Sequence, residues 1–437
     1  MENLKLLELT NFTYTDDIRL VDLALMLSDF EDEEIKKVCD ALEDQYLARV
    51  LEEADQKVQK KIMYSIDSDR ALRVFSFMSK DDIVDVLDVI NTGLRKELIN
   101  KMKTGDKKLI TDLLGYKDDS AGGIMTTEYI ALYRRFTVSQ AIEKIKEIAP
   151  KTEHIETIYV MNNKKKIVGT VSLRDLLVAD HNDALEDLMN PNFIYVDPDL
   201  DQEEVARIVS KYDLNAIPVI NSQKVMLGII TVDDIVDVII EEQTEDILKM
   251  GGVDKEETLD STILQSVRRR LPWLLVNLAT AFLASFTIKA FEGIIAQVVA
   301  LSATMTIIAG MGGNAGSQTV SIIIRSLAMG KVKFNEVKKL ILKEVALGLI
   351  NGAVVGVITG IIVAIMYSNV YLGLIIFLAM IGNLIISGFF GLIIPIILEK
   401  LHVDPAISSS IFLTTATDVL GFFLFLGLAT LFLPKLI

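Results

Sequence analysis

The sequence predicts a multi-domain membrane protein with an α-helical superhelical N domain, an α/β module of two similar units, and an all-α five-span transmembrane domain. Three observations carry that expectation. Composition changes sharply near Arg268: residues 1–264 hold 32 Lys and Arg against 54 Asp and Glu, whereas residues 265–437 hold 12 against 6. Apolar segments long enough to span a bilayer fill the second part. Within the first, two stretches match without a gap at a spacing of 59 residues, and a repeat of this kind implies two similar modules packed together.

The acidic first part repels polyanions, so nucleic acid is not an expected partner, and cations or a basic protein surface are favoured. A charge excess that only solubilises fits equally. Cys39 is the single cysteine, which leaves no internal disulfide or cysteine zinc cluster and suits a reducing compartment. Residues Met1 to Leu20 are charged and lack an apolar core before a small-residue cleavage site, so no cleavable signal peptide is visible and the first half is expected to stay where it is made.

From residue 18 to 112, apolar positions such as Val50, Leu51, Ile62, Phe75, Ile83 and Leu87 recur at helical spacing and are interrupted by Asp and Asn. They predict a superhelix of short helices with no catalytic motif. Further on, Ile158-Tyr-Val-Met-Asn through Gly169-Thr-Val-Ser172-Leu-Arg-Asp175 matches Ile217-Pro-Val-Ile-Asn through Gly228-Ile-Ile-Thr231-Val-Asp-Asp234. Each unit reads as strand, turn, strand and then helix, with Ser or Thr near the helix start.

This is the pattern of tandem CBS motifs, and the resemblance implies a Bateman module, a regulatory βαββα pair that often dimerises and often binds adenine nucleotides such as ATP. Ser172, Arg174, Asp175, Thr231 and Asp234 fall at or beside the positions that hold ribose in such modules. The same Ser, Thr and Asp residues are good helix caps in their own right. Leu214 offers no aromatic face for a base.

Between this module and the membrane, the run from Asp233 to Asp246 places seven carboxylates in 14 residues. Hard oxygen ligands at i, i+3 and i+4 suit Mg2+ or Ca2+, and a solvated helix face fits as well. The expected boundaries are an acidic helical domain at 1–124, CBS motifs at 125–186 and 187–240, a connecting (plug) helix at 241–264 and the transmembrane domain at 265–437.

Five segments approach or exceed the roughly 20 residues that cross a bilayer as helix: about 271–291, 294–324, 345–367, 371–398 and 406–434. Basic residues cluster at Arg268, Arg269 and Arg270 and again at Arg325, Lys331, Lys333, Lys338, Lys339 and Lys343. The positive-inside rule then puts the N-terminal half in the cytoplasm and, with an odd span count, the C-terminus outside. Lys289, beside Glu292, is a weak exception.

The second segment contains Gly310-Met311-Gly312-Gly313-Asn314-Ala315-Gly316-Ser317-Gln318. Glycines let helices pack closely or leave backbone free to line a cavity, and Asn314 and Gln318 favour the cavity. Asp418 follows Thr414, Thr415 and Thr417 within the fifth segment, where no Lys or Arg lies deep enough to neutralise it. A bound cation is the natural counter-charge, the alternative being a protonated structural carboxyl. Glu344 and Asn351 are seven residues apart and share one helix face, either on a path or as glue between helices.

In this order the pieces resemble the MgtE family of magnesium channels over essentially the whole chain. The most specific motifs are Gly312-Gly313-Asn314-Ala315-Gly316-Ser317-Gln318, Asp404-Pro405-Ala406 and Thr414-Thr415-Ala416-Thr417-Asp418, with Asp118-Asp-Ser-Ala-Gly122-Gly-Ile-Met125-Thr before the first CBS motif. The resemblance implies a homodimer in the plasma membrane. Asp418 of each subunit would hold a hydrated Mg2+ on the dimer axis, with the Thr414 carbonyl as second contact and Asn314 nearby.

It also implies gating acids at Asp81 and Asp85, at Asp201, Glu203 and Asp213, at Asp234, Asp237, Glu242, Glu245 and Asp246, and at Asp404. Cytosolic Mg2+ bridging these carboxylates would hold the connecting helices against the pore, and their repulsion would open it when Mg2+ is low. Two departures from the family pattern, Ser410-Ile411 in place of Asn-Pro and Thr306 in place of Pro, bear on ion discrimination. Alternatives to a Mg2+ channel are a broader divalent transporter for Co2+ or Ca2+ and a membrane-anchored divalent-ion sensor. An enzyme is not expected, because His154, His181 and His402 lie far apart without a Cys partner and there is no phosphate-binding loop.

Overall fold

A computed structural model of the chain describes residues 17–152, 154–259, 261–332 and 336–436; the segment read for a signal peptide (through residue 16) and Lys333 lie outside the described residues. Two compact units divide at Ile239 and Ile240.

The first unit opens with eight short helices: α1 Asp17–Leu27, α2 Asp32–Ala41, α3 Asp44–Glu53, α4 Gln56–Ser65, α5 Ser68–Phe75, α6 Lys80–Val89, α7 Thr92–Lys101 and α8 Thr104–Leu113. The Asp and Asn residues that interrupt the apolar pattern are their caps. Asp55, Asp67 and Asn91 accept the backbone N–H groups of Val58, Arg70 and Leu94 at 2.8–2.9 Å, satisfying donors that a helix start leaves open. Each helix packs on the next but one, giving the expected superhelix. Its core takes in Val50, Leu51, Ile62 and Leu87, all fully buried.

The α/β module follows with β1 Ala131–Tyr133, α9 Val138–Ile148, β2 Thr157–Met161, β3 Ile167–Ser172, α10 Leu173–Val178, α11 Leu185–Leu188, α12 Gln202–Tyr212, β4 Ala216–Ile220, β5 Met226–Thr231 and α13 Val232–Met250. Strands β2 and β3 pair antiparallel, as do β4 and β5. The repeat extends below the level of the strands: both hairpins carry a register shift, between Val160 and Met161 and between Val219 and Ile220. Both also turn through a left-handed lysine, Lys165 (φ 58°) and Lys224 (φ 62°).

The connecting helix differs from the expectation at 241–264. It starts at Val232, directly after β5, and ends at Met250, because Gly251 and Gly252 follow and Gly252 adopts φ +71°, the usual way to stop a helix.

The second unit contains α14 Ile263–Ala290, α15 Glu292–Gln297, α16 Ala300–Ala328, α17 Val337–Met366, α18 Val370–Lys400, α19 Pro405–Leu431 and α20 Leu433–Leu436. Among the described residues, four helical segments are long and apolar enough to cross a membrane, in α14, α17, α18 and α19. The second of the five expected spans, 294–324, is not one of them. It divides at Val298 and Val299 into α15 and α16, and α16, though 29 residues long, is diluted by its Gly, Ser, Thr, Asn and Gln. α16 is nonetheless packed against α18 and α19.

The closest packing lies between α17 and α18, where Gly348, Gly352, Gly356 and Gly360 form a buried stripe. A Cβ on Gly352 would stand 2.7 Å from the Ile381 Cα, so only glycine permits this backbone approach.

Candidate functional site

Within the second unit, α19 begins at Asp404, whose Oδ1 accepts the Ala406 N–H at 2.8 Å, with Pro405 in the first turn. Fourteen residues on, about 21 Å along the helix at 1.5 Å per residue, stands Asp418. Its carboxylate is half-buried and meets no donor or cation among the described residues. Thr414 is exposed; its hydroxyl donates to the Ser410 carbonyl at 2.9 Å, and its own carbonyl accepts from Thr417 Oγ1 at 3.1 Å.

The Gly-rich run is continuous helix, not irregular backbone. Gly312 and Gly316 are buried, facing Asn383 and Leu413, while Asn314, Ser317 and Gln318 are exposed on the chain. Packing accounts for two of the glycines, and the polar residues occupy the other side.

Three intramembrane polar residues part company. Asn383, fully buried, donates from Nδ2 to the Ile308 carbonyl at 2.7 Å and keeps Oδ1 without a partner, wedged between Gly312 and Gly421. Glu344 accepts from Thr319 Oγ1 at 3.1 Å and so ties α17 to α16, whereas Asn351 is exposed.

Glu245, Asp246 and Asp404 come together at the end of α13. Lys249 Nζ reaches both Glu245 and Asp404 Oδ2, and Lys255 Nζ lies 3.3 Å from Glu245. Burial, followed by the Asp404 charge, raises the Asp246 carboxyl above its ordinary value. Burial works against the Lys249 charge, but Asp404 and Glu245 outweigh it and raise that group. Glu242 is partly buried, while Asp237 is exposed on its own turn of the helix. The basic cluster before α14 is also paired: Arg269 meets Glu256 at 2.7 Å and Arg270 meets Glu257 at 2.6 Å.

In the first unit the acids of α6 crowd one another. Asp81 keeps one buried oxygen, Oδ1, without a partner. Burial and then the Asp82 charge push it to about 7. Glu52 reaches about 7 for the same two reasons. Asp85, although its edge reaches solvent, is also pushed to about 7, by its crowded surroundings and then by Asp82 and Asp81. No Lys or Arg nitrogen lies within ion-pair distance of Asp81, Asp82 or Asp85 among the described residues. Nearby bases are engaged elsewhere: Arg49 lies 3.8 Å from Glu52, Lys80 3.7 Å from Asp106 and Arg95 2.9 Å from Asp88.

The structure gives the remaining sequence candidates local roles. Asp201 caps the start of α12 through the Glu203 N–H at 2.9 Å, and Asp213 ends the same helix with φ 51°. All three of these acids are exposed and do not form one cluster. Ser172 Oγ accepts the Asp175 N–H at 3.0 Å, and Thr231 Oγ1 donates to Asp234 at 2.5 Å. Arg174 and Asp175 are exposed. Burial raises Asp234, with the Thr231 hydroxyl opposing.

Among the described residues, no three His, Cys, Asp or Glu side chains gather closely enough to hold a metal. On α6, Asp81 Oδ1 remains a buried oxygen with no donor, beside the Asp82 charge that repels it. At the end of α13, Lys249 stands as a positive charge between Glu245 and Asp404.

A superhelix of acidic helices, a duplicated α/β module and a bundle of apolar helices carrying an unpaired carboxylate at Asp418 define a multi-domain membrane protein. Family models agree: residues 18–119 match the MgtE intracellular N domain, 121–182 and 185–241 the CBS domain, and 305–428 MgtE, a divalent cation transporter. The magnesium transporter MgtE of Bacillus subtilis is 34% identical over 421 residues, 96% of this chain and 93% of that protein. That of Enterococcus faecalis is 36% identical, over 74% of this chain and 71% of that protein. A crystal structure of the cytosolic domain of the Mg2+ channel MgtE in complex with ATP is 32% identical, with a TM-score of 0.48, over 50% of this chain and 89% of that one. The chain belongs to the MgtE family.

Proposed function

We propose that the chain carries Mg2+ across the plasma membrane through a pore lined at Asp418, and that cytoplasmic Mg2+ closes that pore through the acids of the first unit and of α13. One observation carries the reading: in a chain whose relatives are named magnesium transporters, Asp418 sits inside a membrane helix with no protein counter-charge among the described residues. A carboxylate there costs several kcal/mol on typical scales unless a path or a cation serves it. A hydrated Mg2+, which gives up its waters reluctantly, needs only such an oxygen ring.

The exposed stripe of Asn314, Gln318 and Thr414 supports a second copy completing the path as a homodimer. Basic clusters at Arg268–Arg270 and around Lys338 support a cytoplasmic first half and an outer C-terminus. ATP as a modulator of the CBS pair is part of this reading, supported by the match of Ser172, Arg174, Asp175, Thr231 and Asp234 to positions at or beside the ribose site of such modules. The chain is read as a transporter without a catalytic step.

A wider cation range has one observation in its favour. Thr306 leaves α16 an uninterrupted helix where the family pattern places Pro.

The deciding experiment is Mg2+ uptake into proteoliposomes, with Asp418→Ala as the comparison and the Mg2+ on the first unit's side varied. Wild type should take up Mg2+ and slow as that Mg2+ rises, and the variant should fall to the level of empty vesicles while folding normally. Uptake by Asp418→Ala at the wild-type rate would remove the site. Equal uptake of Mg2+, Co2+ and Ca2+ would establish the broader range.

A further inference from the structure

The junction between α13 and α19 already contains a cation. Lys249 projects from the last turn of α13, one turn after Glu245, and donates both to Glu245 on its own helix and to Asp404, 155 residues away in sequence. Its side chain is 17% exposed, Glu245 16% and Asp404 31%, so water screens the three only partly.

Asp404 divides its two oxygens: Oδ1 caps α19 at the Ala406 N–H and Oδ2 takes the ammonium. One carboxylate therefore fastens the end of α13 to the first turn of the helix that carries Asp418. Asp246 lies in the same field. Without Lys249, Glu245 and Asp404 would repel each other with Asp246 close by, and among the described residues Lys255, itself half exposed, would be the remaining base beside Glu245.

We propose that Lys249 is a tethered cation that offsets part of the repulsion between the end of α13 and the N-terminus of α19 when divalent ions are scarce, and that a regulatory divalent ion must compete with its ammonium for Glu245 and Asp404. The proposal deepens the functional reading, and rests on it, in assigning regulatory Mg2+ to these carboxylates. The ammonium supplies one charge on a flexible stem, and a divalent ion supplies two charges and closer oxygen contacts. The lysine therefore sets how much Mg2+ is needed to tighten the junction, and it keeps the junction from flying apart at zero Mg2+.

The test is hydrogen exchange of residues 244–250 in the full-length protein in detergent or nanodiscs, for wild type, Lys249→Met and Lys249→Arg, across a Mg2+ titration at constant ionic strength. Methionine keeps the apolar stem and removes the charge. In Lys249→Met at zero Mg2+, protection should fall about tenfold, the size of one lost partly buried charge pair. Saturating Mg2+ should restore it to the wild-type level, with a midpoint lower than that of wild type. Lys249→Arg should follow wild type.

Protection equal to wild type at zero Mg2+ would overturn the tether. Loss that Mg2+ does not repair, with wild type still responding to Mg2+, would reduce Lys249 to a plain structural contact. Insensitivity of wild type itself to Mg2+ would strike the functional reading of these acids, leaving the charge pair standing, since the exchange readout involves no transport.

Discussion

Two acidic clusters in this chain answer the same electrostatic problem in opposite ways. On α6, Asp81, Asp82 and Asp85 crowd together and nearby bases pair elsewhere, so burial and mutual repulsion push Asp81 to about 7. At the end of α13, Glu245 and Asp404 share Lys249, and their charges are met from within the protein. One cluster waits for a proton or a cation from solution; the other carries its own. Residue type alone does not separate them. A single lysine one turn along the helix does.

The largest effect expected from this contrast is on pH dependence. A carboxyl raised in the folded state contributes stability that is complete below its ordinary value and is lost as pH rises through about 7. Without divalent ions, exchange protection of Lys80–Val89, corrected for intrinsic rate, should therefore drop about tenfold between pH 5 and pH 8. Mg2+ should cancel the drop at pH 8, while the α13 end, already neutralised by Lys249, should change little. Equal pH slopes at the two places would break the comparison.

A smaller shift should follow Asp82→Asn. Asp82 is the leading charge against Asp81, Asp85 and Glu52, and its own oxygen accepts from Ser79 Oγ at 2.6 Å, a bond that asparagine preserves. Protection of α6 at pH 8 should rise about fivefold and stay unchanged at pH 5. A fall instead would mean that Asp82 serves chiefly as a cap partner.

The smallest effect belongs to Lys255→Met. That lysine is half exposed at 3.3 Å from Glu245, and exposed pairs contribute about 0–1 kcal/mol. Exchange at residues 244–250 should move by less than about threefold, and a change as large as that for Lys249→Met would spread the tether over both lysines.

Much of the fold was legible because its signals are local. The 59-residue repeat located both hairpins, and their shared register shift and left-handed lysines follow from the same short-range pattern. The Asp and Asn interruptions of the apolar pattern were visible, and the structure shows that Asp55, Asp67 and Asn91 among them are helix caps. What stayed hidden was long-range or averaged away. Hydropathy reads residue type and not the facing partner, so the 294–324 segment gave no hint of its break at Val298. The four-residue spacing of Gly348, Gly352, Gly356 and Gly360 went unread, because its value depends on α18 lying against it. Within the candidate site, Asp418 stood out because it is a carboxylate in an apolar span. Lys249 did not, since its partner Asp404 is 155 residues distant, and neither did the pairing of Arg269 and Arg270 with Glu256 and Glu257. Expected acids such as Asp201 and Asp213 turned out to be the two caps of one helix.

Asn383 sets a timetable for biosynthesis. Ribosomes make the chain from its N-terminus, so α16 has already emerged when α18 is delivered to the membrane, and the Ile308 carbonyl is waiting for the Asn383 amide. An asparagine released into lipid alone would be costly; released beside α16 it finds its acceptor at once. α19, made later than α18, closes over the other side of that amide with Gly421. The helix carrying Asp418 therefore locks after the pocket that receives it has been built.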